Sequence, residues 1–314
     1  MLKIACTPSQ SSVLKPLLPS VQEGEASLNH RIYAAAIAPF RAFYAIYDTV
    51  RPENPLTKQR QFCFFPESLE IAFGSYGYYN SIDANGGEWR VDPWKPAGYN
   101  AMVKGYKKTT EEALKKMIPF TGRTKLPWEI TMVNNQIVNA WAKMGGKMAI
   151  HRALIDRMSK ETRSFGQGKI STKDKIAAVV GHEMAHPAAR HTARMVEISL
   201  FWTAIALVFE PAFMLLAGYD LLESYVFSSY SRSQELEADR YGMEMMWKAG
   251  YDPKAAIWLQ HFFKDYEDSY GIRWMDRIDR LFWSHPTSDE RIRANKITLA
   301  ELVQRKKPIA TTKK

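Results

Sequence analysis

Cysteine is almost absent from this sequence. Two residues in 314, Cys6 and Cys63, cannot build a disulfide framework, and neither sits in a CxxC or other ligand-like spacing. Nothing in the chain therefore asks for an oxidising compartment or a thiolate metal site. Long apolar runs are lacking as well. The first ~27 residues are polar, with Pro and Ser but no arginine, and they hold no apolar run that a secretory signal would need. The two most apolar stretches are both interrupted, residues 32–47 by Pro39 and Arg41 and residues 199–218 by Glu210-Pro211. A spanning helix needs about 20 largely apolar residues. The first stretch thus reads as a membrane-surface helix, a poor span or a helix packed on the domain, and the second as a buried helical hairpin. Membrane association, peripheral or integral, stays open, and with it the localisation.

Acid is short relative to base: 33 Asp and Glu against 43 Lys and Arg, a net charge of +10. Such a surface can meet anionic lipid or nucleic acid. The chain carries no nucleic-acid motif, and no nucleic-acid partner is expected. The densest basic stretch, 95–126, reads as a solvated helix face. Within it, in "TTEEALKKM", Thr109 and Glu112 stand at capping-box spacing and acids lead bases as the helix dipole prefers.

What is present bounds the architecture. At 46% hydrophobic residues the chain can bury a sizeable core. Three parts are expected: an extension over 1–51, one large domain over 52–300 with the apolar hairpin at about 196–224, and a basic tail over 301–314. "PWEITMVNNQIVNAWAKMGGKMAIHRALID" reads as two short strands joined at Asn134-Asn135, then a helix. From Ser171 the pattern is helical, with Gly250 as a stop and Asp252-Pro253 as a restart. The fold class is α+β, predominantly helical, with a small sheet.

The chemistry centres on "VGHEMAH". His182 and His186 stand at i and i+4 with Glu183 beside the first, the spacing that puts two imidazoles on one helix face for a metal. Ser171 and Asp174 open that helix at capping-box spacing. At 100° per residue Ile176, Val180 and Met184 share one face, and the two histidines lie roughly 140° away. Catalytic zinc takes three protein ligands and keeps one position for water. A third histidine is not available at the usual downstream spacing, where Ala189 and Thr192 stand, and His191 falls one residue short, suited to backing a ligand or to a structural place. A glutamate on a later helix is available. In "SRSQELEADRYG", Glu235 and Asp239 share a face, so Glu235 is the third ligand and Asp239 an acceptor that orients His182 or His186. Glu237, about 200° from Glu235, is expected in solvent. One Zn²⁺ per chain, with Glu183 as general base, gives peptide hydrolysis. Peptide deformylases also use HExxH, but they need an upstream cysteine ligand, and Cys63 in "QFCFFP" lacks that context.

Several ordered pieces then share one resemblance: "NPLTKQRQFCFFPESLEIAFG" with Glu70 and Gly74, "NAWAKMGGKMAI", "GHEMAHPAARH", "SRSQELEADRYG", "AGYDP" and "SHPTSDERI". Across roughly 52–297 the chain resembles the HtpX, CAAX-prenyl-protease and OMA-type zinc metallopeptidases, a gluzincin group. The resemblance implies a zincin-like domain and an endopeptidase for extended or misfolded polypeptides, membrane or envelope proteins among them, in protein quality control. It also implies that the 143–150 strand is an edge that pairs with substrate, with Gly145, Gly146 and Lys147 as substrate-binding residues. It places His285 near the metal, stabilising an oxyanion or capping the zinc in a closed state, although His285-Pro286 could equally begin a helix capped by Thr287 and Glu290. One departure stands out. Pro187 directly follows the second ligand, where it removes a helix hydrogen bond and disfavours helical torsions at His186. A kink there would displace His186 and leave a chaperone-like binding module without turnover as the alternative.

Overall fold

The computed structural model describes residues 52–61, 63–199, 219–270 and 289–305; across 219–231 and at 270 it describes the backbone. The chain divides into two compact units, 1–52 and 53–314, and every helix and strand named below belongs to the second. The apolar 32–47 stretch, the break at Glu210-Pro211, His285 with its helix start, and the end of the basic tail lie outside the described residues. Among the described residues no helix is long and apolar enough to cross a membrane.

The element order is α1 (Glu67–Ala84), α2 (Ala97–Met117), β1 (Glu129–Val133), β2 (Ala140–Lys143), β3 (Lys147–His151), α3 (Arg152–Lys160), α4 (Thr172–Ala188), α5 (Tyr219–Lys248), α6 (Lys254–Tyr270) and α7 (Asp289–Gln304). This is an α+β fold dominated by helices around one small sheet. The sheet has three strands rather than two. The expected second strand breaks at Met144-Gly145-Gly146, where both glycines take positive φ, 72° and 81°. The chain reverses there, so β3 pairs antiparallel with β2 and parallel with β1, in the order β1-β3-β2. Residues 147–150 are therefore no edge: β3 is the central strand, and β2, which ends at Lys143, is the edge that abuts α4.

Strand periodicity explains how the sheet is covered. On β3, Met148 and Ile150 enter the main core, while Ala149 faces the other way to pack with Tyr78 and Ile82 of α1. Both faces are buried, and β3 has no exposed residue. α1 approaches the Gly145 turn so closely that a Cβ on Gly74 would lie 2.0 Å from the Met144 carbonyl oxygen. Only glycine fits there.

α4 runs through the centre of the domain. Ser171 caps it, its Oγ accepting from the Asp174 amide at 3.1 Å. From Lys175 to Ala185 every residue is buried, so the expected division into a core face and a pocket face is a division between two interior surroundings. Lys175 is tolerated inside because its ammonium caps α3, donating to the carbonyls of Met158 (3.0 Å) and Glu161 (2.7 Å), and lies 4.1 Å from the Trp258 ring centre. Elsewhere, Thr109 is no cap. α2 starts earlier, after Pro96, and the Thr109 hydroxyl donates back to the Gly105 carbonyl at 2.9 Å. Gly250 and Asp252 do end α5 and open α6, with Asp252 accepting from the Lys254 amide at 3.0 Å.

Buried His151 holds the β2–β3 pair together. Trp141 donates to its Nε2 at 3.3 Å, so Nδ1 carries the proton toward the Ile137 carbonyl at 3.1 Å. Burial pushes its pKa below the ordinary 6.5, and the Ile137 carbonyl only partly opposes this. The folded state then binds fewer protons than the unfolded chain, so His151 contributes stability that is complete above 6.5 and declines as pH falls toward the lower folded value. Urea unfolding from pH 7.5 to 5.0 should show wild type losing more stability on acidification than His151→Gln. Parallel curves would remove His151 from this role.

Candidate metal centre and active site

The site is made where α4 and α5 cross. Gly181 and Gly242 meet at the crossing: a Cβ on Gly242 would lie 2.9 Å from the carbonyl carbon and oxygen of Gly181 and from the amide nitrogen of His182. With both Cβ atoms absent the helices touch backbone to backbone, and Glu235, two turns before Gly242, reaches the histidines. His182 Nε2 lies 3.3 Å from His186 Nε2 and 3.4 Å from Glu235 Oε2, and His186 Nε2 lies 3.5 Å from Glu235 Oε1. Nitrogen and oxygen ligands at about 2.0–2.2 Å from a tetrahedral ion stand roughly 3.3–3.6 Å apart. With one atom taken from each residue, the three donors lie within 4.8 Å of one another, close enough to hold one cation. Among the described residues they are the one such group.

His182 is backed by a carboxylate directly, and His186 through a second histidine. His182 Nδ1 lies 2.9 Å from Asp239 Oδ1, so Asp239 partners His182 rather than His186. Asp239 in turn accepts two bonds from Arg291 of α7, each at 2.8 Å, and one from Gln260 at 3.2 Å. Arg291 also reaches Glu235 Oε2 at 2.9 Å. Burial alone would raise the Asp239 pKa, but the charge of Arg291 and the hydrogen bonds outweigh it and hold the carboxyl below its ordinary range. For His182, burial pushes down and is outweighed by Asp239 and Glu235, which raise its pKa. A field that holds a proton on an imidazole also attracts a divalent cation.

On the other side, His186 Nδ1 lies 2.8 Å from His191 Nδ1, and His191 Nε2 lies 3.0 Å from Glu237 Oε2. Glu237 is thus held inside rather than in solvent, and Arg194 contacts the same oxygen at 3.1 Å. Burial would raise its pKa, and His191 and Arg194 together lower it. Its neighbours come from residues 191–199, a helical segment whose return toward α5 is tertiary information. Glu237 and Arg291 are the residues whose place the sequence reading missed, whereas His191 stands behind His186, one of the two places expected for it. The available signal was an arginine and a histidine at buried positions, which require partners.

Pro187 does not expel His186 from the site. α4 runs one residue past it, to Ala188. The helix end is then capped from outside: Arg123 donates to the Pro187 carbonyl (2.8 Å), Asn54 to Ala188 (3.4 Å) and Gln61 to Ala189 (3.3 Å). Arg123 and Arg190 both pair with Glu70, which is 1% exposed on α1, so the segment before α1 and the helix end form one clamp.

The structure brings His182, Glu183, His186, Glu235 and Asp239 together. A cavity of about 30 Å³, room for roughly one water, is lined by Ala140 of β2, Val179, His182, Glu183, Leu259 and Arg291. Gly145, Gly146 and Lys147 are not among its lining. Gly145 and Gly146 are buried against α1 and against Trp128, respectively, and Lys147 pairs with Glu129 at 2.7 Å beside Tyr78 and Tyr79. His285 lies outside the described residues.

The chain is similar to known peptidases over much of its length. Residues 106–298 match peptidase family M48. The chain is 30% identical over 199 residues to the mitochondrial metalloendopeptidase OMA1 of Schizosaccharomyces pombe, covering 61% of this chain and 53% of that protein. It is 29% identical over 131 residues to the Arabidopsis thaliana protein of the same name, covering 42% and 24%. With the putative beta-barrel assembly-enhancing protease of Vibrio cholerae the identity is 27% over 189 residues, covering 56% and 36%. The chain thus spans between about a quarter and about half of these relatives' lengths.

The crossing makes a specific prediction. Gly242→Ala forces α5 away from α4 by a few tenths of an ångström or more, at about 1–3 kcal/mol of overpacking. Isothermal titration should show zinc binding weakened at least tenfold in this variant. Unchanged affinity would mean that the donors do not depend on the close crossing.

Proposed function

From the premise that the chain belongs to peptidase family M48, a metallopeptidase family, we propose that it is a zinc-dependent metalloendopeptidase acting on extended or misfolded polypeptides in protein quality control. The observation that carries this reading is the triangle of His182, His186 and Glu235 with Glu183 on the adjoining cavity wall. His182, His186 and Glu235 would hold one Zn²⁺. Imidazole and carboxylate ligands without thiolate suit zinc, and a set of three leaves a fourth position for water. When bound, the ion polarises the scissile carbonyl and acidifies a water.

The remaining chemistry belongs to this chain. Glu183, 2% exposed, accepts the proton of the attacking water on its carboxylate as oxygen adds to the peptide carbon. It returns that proton to the amide nitrogen as the C–N bond breaks, giving a carboxylate and an amine. Asp239 keeps His182 in the tautomer that presents Nε2, and Arg291 keeps Asp239 ionised. We place the substrate along β2. His151 donates its amide to the Asn139 carbonyl at 3.0 Å, so 139/151, 141/149 and 143/147 are the hydrogen-bonded pairs. Residues 140 and 142 then turn their backbone groups away from β3; at Ala140, beside the cavity, the amide already donates to Asn139 Oδ1 at 2.9 Å, a bond that a substrate strand would exchange for its own. An extended peptide laid there would be held by main-chain pairing, largely without regard to its sequence. Gly145, Gly146 and Lys147 would act on substrate only through the turn that sets the β2 register, and His285 would act at the metal as an oxyanion contact or a cap. Association with a membrane surface is the corresponding proposal for the apolar stretches, consistent with the mitochondrial and barrel-assembly names of the relatives.

Casein degradation by zinc-loaded protein should fall by about 100-fold or more in Glu183→Gln, with one zinc per chain retained in both. A variant that cuts at the wild-type rate would remove Glu183 from the chemistry. Zinc binding without cleavage in either form would favour the binding-module alternative.

A further inference from the structure

We propose that His191 is a positioning residue for the metal, the middle of a His186–His191–Glu237 relay that fixes the tautomer and orientation of the second ligand. The inference rests on the proposed metal centre of His182, His186 and Glu235. A histidine that ligates through Nε2 carries its proton on Nδ1 and must donate it. For His186 the acceptor is His191 Nδ1, at 2.8 Å. His191 Nδ1 is then unprotonated, so its own proton sits on Nε2 and is donated to Glu237 Oε2 at 3.0 Å. Glu237 has no proton to give and is anchored by Arg194 at 3.1 Å. Once the metal fixes one proton, every other proton in the relay is assigned.

The surroundings hold His191 in this place. It is 2% exposed, its ring stands 4.9 Å from that of His186 at 75°, and its backbone carbonyl accepts from the Gln234 side chain at 3.2 Å. Gln234 adjoins the ligand Glu235, so the relay and the third ligand share one turn of α5. Pro187 and the turn after it make the contact available. Were α4 to continue, residue 191 would lie roughly 7.5 Å along the axis and 140° around it from His186. Instead the chain turns at Ala189 and Arg190, with Arg190 at φ 62°, and a new helical segment brings the His191 ring back onto His186. The two ligands are therefore supported unequally: His182 donates to a carboxylate directly, and His186 donates to a neutral imidazole that in turn donates to a carboxylate.

The test is zinc affinity of the full chain, measured by chelator competition, with apo-protein melting temperature recorded beside it. His191→Phe keeps the ring volume and removes the acceptor; His191→Asn restores a carbonyl oxygen near the same place. The relay predicts that His191→Phe binds zinc about 10–100-fold more weakly and that His191→Asn recovers at least half of that loss on a logarithmic scale. Glu237→Ala should weaken binding in the wild-type background and add little in His191→Phe. A folded His191→Phe that binds zinc within twofold of wild type overturns the proposal. If His191→Phe does not fold, Glu237→Ala and His191→Asn decide in the same way, since wild-type affinity in Glu237→Ala also overturns it. Wild-type protein that takes up no zinc would instead sink the metal-centre reading itself, a different result from equal binding by all forms.

Discussion

Two helices that touch through their backbones set the terms for everything else in this domain. At Gly181 and Gly242 neither helix has a Cβ, and the separation this permits places a carboxylate from α5 among imidazoles from α4. The constraint propagates outward. A central α4 must be buried nearly all round, so the sheet, α2 and α6 are there to cover it, and its polar groups have to find partners inside. The lysine that caps α3, the arginine that caps the end of α4 and the arginine on α7 are consequences of putting a ligand helix in the middle of a core.

The charges are organised as pairs of opposing effects. Burying Asp239, Glu235 and Arg291 together is costly, and removing one partner of such a set costs about 3–5 kcal/mol. Arg291, in contact with both carboxylates at 2.8–2.9 Å, keeps Asp239 ionised in spite of burial. Glu237 and Arg194 do the same for the far side at 3.1 Å. A carboxylate stands behind His182 directly and behind His186 through His191, which leaves Nε2 of each ring turned toward the candidate metal position. Two arginines outside the candidate ligand set thereby help decide the state of its histidines. A cation at the centre completes this arrangement rather than disturbing it, because it replaces the proton that the carboxylates already favour on His182.

Much of this was legible in the sequence wherever the signal was local. Ser171 with Asp174, the i and i+4 histidines, and Glu235 with Asp239 each lie within one or two helical turns, and helical geometry alone places them. What was not legible depended on elements distant in sequence. The choice of His182 over His186 as the partner of Asp239 comes from the crossing of α4 and α5. Glu237 looked solvated because the residues that bury it arrive from 191–199. The third strand was hidden by the Gly145-Gly146 turn, because two glycines inside a strand-like run do not by themselves show that the chain reverses there. Thr109 imitated a cap inside a helix that Pro96 had already started. Pro187 looked like a defect because the bond it removes was read as displacing His186, whereas α4 ends one residue later, its last carbonyls are capped from outside, and the turn after it brings His191 into place.

If the helix crossing builds a three-ligand site from His182, His186 and Glu235, the metal itself should report it. Zinc K-edge X-ray absorption on the loaded full chain is the direct reading. A four-coordinate shell of nitrogen and oxygen at about 2.0–2.1 Å is expected, with the outer scattering of two imidazoles and no sulfur. A six-coordinate, water-rich shell, or one with fewer than two imidazoles, would contradict it.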